Sequence, residues 1–297
     1  MKRIGVDIGG TTMSVAEVTD SGEILNRVDV PSPAAVSGEE VVRVLRELIA
    51  DKWANANFVG IGTAGVIDPA TGSILAASDS FKGWQGFPLK ERVQEALGIP
   101  VAVDNDVNSF LLGEQQCGIA VGEKDCLGIM LGTGVGGAFM LDGKLWSGAR
   151  GAAAEIGHMP GYGNIPCTCG GTGHLETLAS GRSIGRRYRE LSGDDSFTEG
   201  ARVVEVLAKD GNEKAIEVYL NAGRGLALAM LQASTLLDIT TVVLGGGVIK
   251  AWDLLKPGVD EFLSEHPLVS GAELSVRRST LGADAVLIGA SRLGVSC

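Results

Sequence analysis

The chain has 297 residues, with 36 acidic and 25 basic side chains and a net charge of −11 when histidine is neutral. Nucleic acids and anionic membranes are gripped mainly through Lys and Arg, so this balance excludes both as principal partners and leaves room for a small phosphorylated ligand. Glycine is in excess at 44 residues, twice its usual share of roughly 7%, and the 45% hydrophobic content excludes a low-complexity chain.

Lys2 to Ile8 reads as a strand, with Asp7 standing where the apolar run of a signal peptide would have to be. Gly9, Gly10 and Thr11 make a turn, Met13 to Val18 the returning strand, and Ile24 to Val30 a third. Val41, Val42, Leu45, Leu48 and Ile49 lie at helical spacing between Gly38 and Trp53. Phe58 to Ile61 is a short strand running into Gly62 and Gly65. Pro88 to Leu97 is an amphipathic helix ended by Gly98. Val101 to Val103 is a strand that leads through Asp104, Asn105 and Asp106 into a helix from Val107 to about Gln116.

The pattern then restarts. Cys126 to Leu131 is a strand, Gly132 to Gly137 a turn, Ala138 to Leu141 a strand, and Asp142-Gly143 a hairpin turn. Glu176 to Leu237 is mostly helical, and its most apolar part, Gly225 to Leu237, is short of the roughly 20 residues that span a bilayer. Thr241 to Leu244 is a strand entering Gly245, Gly246 and Gly247, and Asp284 to Leu293 is a closing apolar helix. Strand, glycine turn and strand occur twice, which implies two related α/β lobes. The smaller is expected over 1–120, completed by 283–297, and the larger over 121–282 with a Cys/His loop at 158–174. Three of the five cysteines (Cys117, Cys126, Cys297) are scattered, so no disulfide framework forms and a cytoplasmic location is expected.

Two segments satisfy G-x-G-x-x-G, at Gly60 to Gly65 and Gly132 to Gly137. A dinucleotide fold needs a helix straight after the loop, whereas Gly137 leads into a strand and hairpin turn. No P-loop signature is present. The turns at Gly9, Gly10, Thr11 and Thr12 and at Gly132, Thr133 and Gly134 are either ordinary hairpin turns or a clamp for a phosphate tail, since backbone N–H groups and Thr hydroxyls both donate. Asp106 is either an N-cap or an ionised base at a helix start. His158, Cys167, Cys169 and His174, spaced H-x8-C-x-C-x4-H, suit a closed four-coordinate Zn²⁺. A di-iron reading of Glu155 and His158 fails for want of a second copy.

Asp7 to Thr11, Asn105-Asp106, Gly132 to Gly137, Glu155 to His158 and Cys167 to Glu176 together resemble the ROK family (repressors, open reading frames and kinases) over nearly the whole chain. The resemblance implies a two-lobed actin/hexokinase-like (ribonuclease H-like) α/β fold with the active site in the cleft between lobes. It implies Asp106 as catalytic base, and Gly65, Asn105, Glu155, His158 and Glu176 as sugar-binding residues. It implies ATP held by Asp7, Gly9, Gly10, Thr11, Thr12, Thr133, Gly134, Gly246 and Gly247, with Asp7 holding Mg²⁺ through water, and a structural zinc on His158, Cys167, Cys169 and His174. Two departures stand out: Thr12 replaces a common Lys and His174 a usual Cys. Trp84 is left to the core, and Asp104 is set aside because strand alternation turns it the other way.

The expected activity is ATP-dependent phosphorylation of the 6-hydroxyl of a hexose or N-acylhexosamine. N-acetylmannosamine comes first, on the run Cys169 to Arg182, and glucose second. A non-catalytic sugar-sensing regulator and an actin-like ATPase are the readings from other classes. The chain begins at its first phosphate-loop strand, which leaves no room for a DNA-binding element and favours the kinase. The expected partners are sugar and nucleotide, with no nucleic acid or membrane, in a homodimer.

Overall fold

Alternation in the first thirty positions produces a meander of β1 (Arg3–Ile8), β2 (Thr12–Val18) and β3 (Ile24–Pro31). In the computed structural model, which describes residues 1–78 and 81–294, α1 (Gly38–Lys52) follows. Its start is fixed by Ser37, whose hydroxyl accepts from the Glu40 N–H, and it buries Val41, Val42, Leu45 and Ile49 as their spacing requires. Next come β4 (Phe58–Thr63), the hairpin β5 (Val66–Ile67) and β6 (Ile74–Ala76), α2 (Leu89–Leu97), β7 (Val101–Asn105) and α3 (Asp106–Cys117). Gly98 ends α2 at φ 68°, a conformation that favours glycine. The sheet order is β3-β2-β1-β4-β7, with β1, β4 and β7 parallel.

A second five-stranded sheet repeats the logic. It is built from β8 (Cys126–Leu131), β9 (Val135–Leu141), β10 (Lys144–Leu145), β11 (Thr241–Gly245) and β12 (Ser275–Arg278), in the order β10-β9-β8-β11-β12. Here β8, β11 and β12 are parallel. The helices are α4 (Glu176–Ala179), α5 (Gly181–Ser192), α6 (Ala201–Lys209), α7 (Glu213–Leu237), α8 (Trp252–Glu265) and α9 (Ala285–Ala290). No helix among the described residues is long and apolar enough to cross a membrane.

The chain divides into two compact units, one of residues 1–124, 138–153 and 279–297 and the other of 125–137 and 154–278. This corrects the sequence reading twice. The first unit is the larger, and it takes 138–153, which the sequence assigns to the second lobe. The expected closing helix at 283–297 is also shorter: a 3-10 turn over Gly282–Asp284 precedes α9, which ends at Ala290. Residues 295–297, Cys297 among them, lie outside the described residues. Trp84 is fully buried, its ring edge-on to Phe81 at 5.3 Å, as a core residue.

Glycine shapes the first unit's interior. A Cβ added at Gly60 on β4 would lie 1.7 Å from the Ala290 carbonyl oxygen, and one at Gly5 on β1 would lie 2.0 Å from that of Leu287. On the other side of α9, Gly113 of α3 faces the Ala285 carbonyl at 2.2 Å, and Gly289 faces that of Ser109 at 1.7 Å. Backbone thus meets backbone on both sides of α9. Glu114 of α3, fully buried, is satisfied there: its carboxylate accepts from the Ile119 N–H at 2.9 Å, the Leu281 N–H at 3.1 Å and the Ser279 hydroxyl.

Such overpacking has a measurable cost. Gly60→Ala should destabilise the protein by about 3 kcal/mol or more, because a backbone carbonyl cannot swing aside as a side chain can. The melting temperature should fall by roughly 6 °C or more. A fall of less than about 2 °C in a thermal melt would mean that α9 shifts freely.

Candidate active site

Parallel pairing gathers the expected site residues of the first unit at one sheet edge. The register sets Ile8 beside Thr63 and Thr63 beside Asn105, so the turns leaving β1, β4 and β7 emerge together. The carboxyl end of parallel strands is where α/β sheets bind ligands. Gly65 follows β4 with φ +113°, and a Cβ there would meet the Ala76 carbonyl at 2.4 Å, so only glycine fits. Its carbonyl accepts from the Asn105 side-chain amide at 3.0 Å.

The cap of α3 is Asn105. Its Oδ1 accepts from the N–H groups of Val107 at 2.8 Å and Asn108 at 3.2 Å. The capping role that the sequence offers Asp106 is therefore already filled, and Asp106 is the first helical residue, accepting from Val107 at 3.0 Å. Burial raises the Asp106 carboxyl above its ordinary range, opposed by the Val107 N–H.

Asp7 stands on the same sheet face as Ser14 and Asp29 on one side and Gly62 and Asp104 on the other, since each is directly opposite its neighbour. Burial, and then the negative charge of Asp106, push the Asp7 carboxyl up to about 7, while Arg27 pulls it down. Arg27 itself donates to Asp29 at 2.9 Å, Asp284 at 2.6 Å and the Ser14 hydroxyl at 3.1 Å.

Asp104 and Asn105 lie on opposite faces of β7, as alternation requires. Asp104 shares Asp7's face, and its Oδ1 accepts from the Asn105 N–H and the Asn108 side-chain amide, both at 2.7 Å. Alternation does not show that the face turned away from Asn105 is the one that carries Asp7. The cross-strand register was the missing signal.

The glycine turns are held from outside. Gly9 donates its N–H to Thr12 at 3.0 Å, and its carbonyl accepts from the Ser32 hydroxyl at 2.5 Å, which leaves Thr11 and Thr12 exposed. In the second unit the Gly132 N–H bonds the Gly134 carbonyl at 2.9 Å, and exposed Thr133 caps the turn. A Cβ on Gly134 would lie 2.5 Å from Glu176 Oε2, the same oxygen that accepts from the Val135 N–H at 3.2 Å. Gly245 pairs with Met130, so Gly246 and Gly247 leave the edge that Gly132 leaves. Gly246, at φ +89°, would clash through a Cβ with the Leu131 carbonyl at 2.4 Å.

The ligand atoms of His158, Cys167, Cys169 and His174 all lie within 4.8 Å of one another. Cys167 Sγ is 3.8 Å from His158 Nδ1, and Cys169 Sγ is 3.3 Å from His174 Nδ1. Ligands at about 2.1 and 2.3 Å from one tetrahedral zinc stand roughly 3.6 Å apart, so the donor set and its spacing fit that ion. Bridges Pro160–His174 and Pro166–Thr172 and the Cys167 N–H to the Gly171 carbonyl at 2.8 Å shape the loop. Burial pushes the Cys167 thiol up, which a divalent cation would reverse. Glu155 opens the 3-10 turn that carries His158, its carbonyl accepting from the His158 N–H at 3.0 Å. Glu176 begins α4 beside the cluster, with Oε1 accepting from the Thr168 hydroxyl at 3.3 Å. Proximity in sequence ties Glu176 to the Cys/His loop, but its contact with the second glycine turn is visible only in the fold.

Comparison with known proteins gives this geometry a family. The model of the ROK family matches residues 3–295. The chain is 34% identical to a glucokinase of Halalkalibacterium halodurans over 96% of its own length and 92% of that protein. It is 32% identical to an N-acetylmannosamine kinase of Escherichia coli over 99% and 98%. The crystal structure of a ROK family glucokinase from Streptomyces griseus in complex with glucose and AMPPNP superposes with a TM-score of 0.84 at 29% identity, covering 99% of each chain. The two-lobed α/β fold expected from the motifs is the fold of these neighbours, and the chain belongs to the ROK family.

Proposed function

We propose that this chain is a sugar kinase that transfers the terminal phosphoryl group of ATP to the 6-hydroxyl of a hexose or N-acylhexosamine. The observation that carries the reading is Asp106. Asn105 does the capping, so the Asp106 carboxylate is left at a helix start, where N–H dipoles favour its ionised form. Burial raises its proton affinity, which makes it a better acceptor for a hydroxyl proton late in a loose transition state.

The remaining roles are those that the family resemblance implies, and the donors and acceptors in place are compatible with them. Asn105 spends its oxygen on the cap and one N–H on Gly65, so its other N–H serves a sugar hydroxyl beside Gly65. Glu155, His158 and Glu176 hold further hydroxyls. His158 turns Nδ1 toward Cys167, which frees Nε2 for the sugar. Gly9, Gly10, Thr11 and Thr12 donate to the phosphate tail, as do Thr133 and Gly134, and Gly246 and Gly247 let the adenosine approach closely. Asp7 accepts from the waters of Mg²⁺, which neutralises phosphate charge when bound. A structural zinc on His158, Cys167, Cys169 and His174 fixes the geometry of His158 and Glu176. A homodimer belongs to the same proposal.

N-acetylmannosamine is the first substrate, on the run from Cys169 to Arg182 beside Glu176. Glucose is the second, because a relative named glucokinase is as similar as those named N-acetylmannosamine kinase. A pocket with room for the acyl group rejects glucose by only about 10–200-fold, so both sugars should turn over.

The deciding experiment is a coupled assay of ADP release over N-acetylmannosamine, glucose, N-acetylglucosamine and mannose. Turnover with at least one is expected, and Asp106→Asn should lower kcat by about 10²–10⁴-fold with sugar affinity retained. Absence of turnover with intact sugar binding would favour the regulator.

Elemental analysis should find zinc in the purified protein. Cys167→Ser with Cys169→Ser should lose it, melt lower and show a raised sugar KM, since metal binding is coupled to folding. Wild-type kinetics in that variant would remove the zinc from the proposal.

Asp7 sets a pH dependence in magnesium-free protein. With its carboxyl raised from 3.8 to about 7 in the fold, the native chain keeps a proton that the unfolded chain has lost. Stability therefore falls as pH rises through that window, and the loss is complete above about pH 7. Asp7→Asn should melt at least about 2 °C above wild type near pH 8 and close to it near pH 4. Equal melting at both would show that the Asp7 carboxyl is not raised.

A further inference from the structure

The N-terminus of α5 carries positive charge where a helix favours negative. Ser180 caps it, accepting from the Ser183 N–H at 3.2 Å, and its first turn contains Arg182 and no acidic residue. Helix N-termini attract anions and repel cations. Arg182 is exposed and pairs with no group among the described residues. One turn further, Arg186 lies on the same side of the helix, a like-charge spacing that costs stability. Its Nε is buried without a hydrogen bond, 3.8 Å from Glu190, and its other nitrogens reach only the Pro166 and Thr177 carbonyls at 3.3 and 3.5 Å. Both guanidiniums line a cavity of about 50 Å³ with Thr168, Glu176, Ser180 and Ser183.

This helix start is joined to the glycine turns. The Gly181 N–H donates to the Gly132 carbonyl at 2.8 Å, and a Cβ at Gly181 would stand 3.1 Å from that oxygen and 3.5 Å from Val248, just past Gly247. Neither Gly9 to Thr12 nor Gly132 to Gly137 contains a cation, and Thr12 is neutral. A phosphate tail seated on neutral donors would lack the charge partner such ligands usually have. The lone acid at the cavity, Glu176, is already engaged by the Val135 N–H and the Thr168 hydroxyl.

We infer that Arg182, backed by Arg186, is the phosphate-binding cation of the nucleotide site, closing on the phosphate tail beside the Gly132 turn. The inference rests on the nucleotide reading above. It accounts for an arginine at a helix start and a second one turn further on, an arrangement otherwise unfavourable. A phosphorylated sugar carries the same chemical group, so the test separates the two sources.

Binding of ATP, ADP, AMP, adenosine and a hexose 6-phosphate would be measured by calorimetry on the whole protein and on Arg182→Gln and Arg182→Lys. ADP and ATP should weaken by about tenfold or more in Arg182→Gln, and less in Arg182→Lys, with adenosine unchanged. Their salt dependence should flatten. Without ligand, Arg182→Gln should melt at or slightly above wild type, because a cation has left a helix start, and a merely structural arginine would melt lower. Unchanged ADP affinity overturns the inference, as does weakening confined to the hexose 6-phosphate or shared equally by adenosine. Wild-type protein that binds no ATP or ADP would instead overturn the nucleotide reading itself.

Discussion

The close seating of α9 against β1, β4 and α3 is the constraint on which the first unit depends. Four positions without side chains, Gly5, Gly60, Gly113 and Gly289, let carbonyl groups stand where a methyl would collide. That contact sets how far α3 lies from the sheet. The start of α3 is where Asn105 and Asp106 sit, so a packing requirement some distance from the chemistry fixes the height of the carboxylate over the sheet edge. The glycine excess is thus structural as much as functional: some glycines admit a helix, and others shape the turns.

Burial and charge then act together at that edge. Burial and the charge of Asp106 raise the proton affinity of Asp7, burial alone raises that of Asp106, and Arg27, shared among Asp29, Asp284 and Ser14, offsets the effect on Asp7 only in part. Buried carboxylates so placed are costly to ionise together. In the second unit the equivalent economy is mechanical. One carboxylate, Glu176, accepts from the Val135 N–H and the Thr168 hydroxyl, so the Cys/His loop and a glycine turn share a single fixed point.

Much of this was legible in the residues. The apolar spacing of α1, the Gly98 stop of α2 and the two strand–turn–strand segments appear where periodicity and turn chemistry put them. The Cys/His group could be picked out from its residue types, two of the chain's three histidines among them, although its spacing is not that of ordinary zinc fingers. Short elements were not legible: β5, β6 and β12 offer two to four residues, too few for any alternation to show. Long-range register was equally hidden, which is why the shared face of Asp7 and Asp104 could not be read from either strand alone. The membership of 138–153 in the first unit depends on contacts between residues far apart in sequence, which no local pattern carries.

The placement of α9 also bears on how the chain is made. The sheet strands that receive it are synthesised first, and the whole of 154–278 emerges before residues 285–290 do. Until then Gly5 and Gly60 face a trough with no helix in it, and α3 lacks its partner. The second unit's segments are nearer neighbours in sequence and can close earlier. Contacts of this separation are slow to form and leave apolar surface open meanwhile. The first unit therefore cannot complete its core until its last-made segment, a six-residue helix, is available.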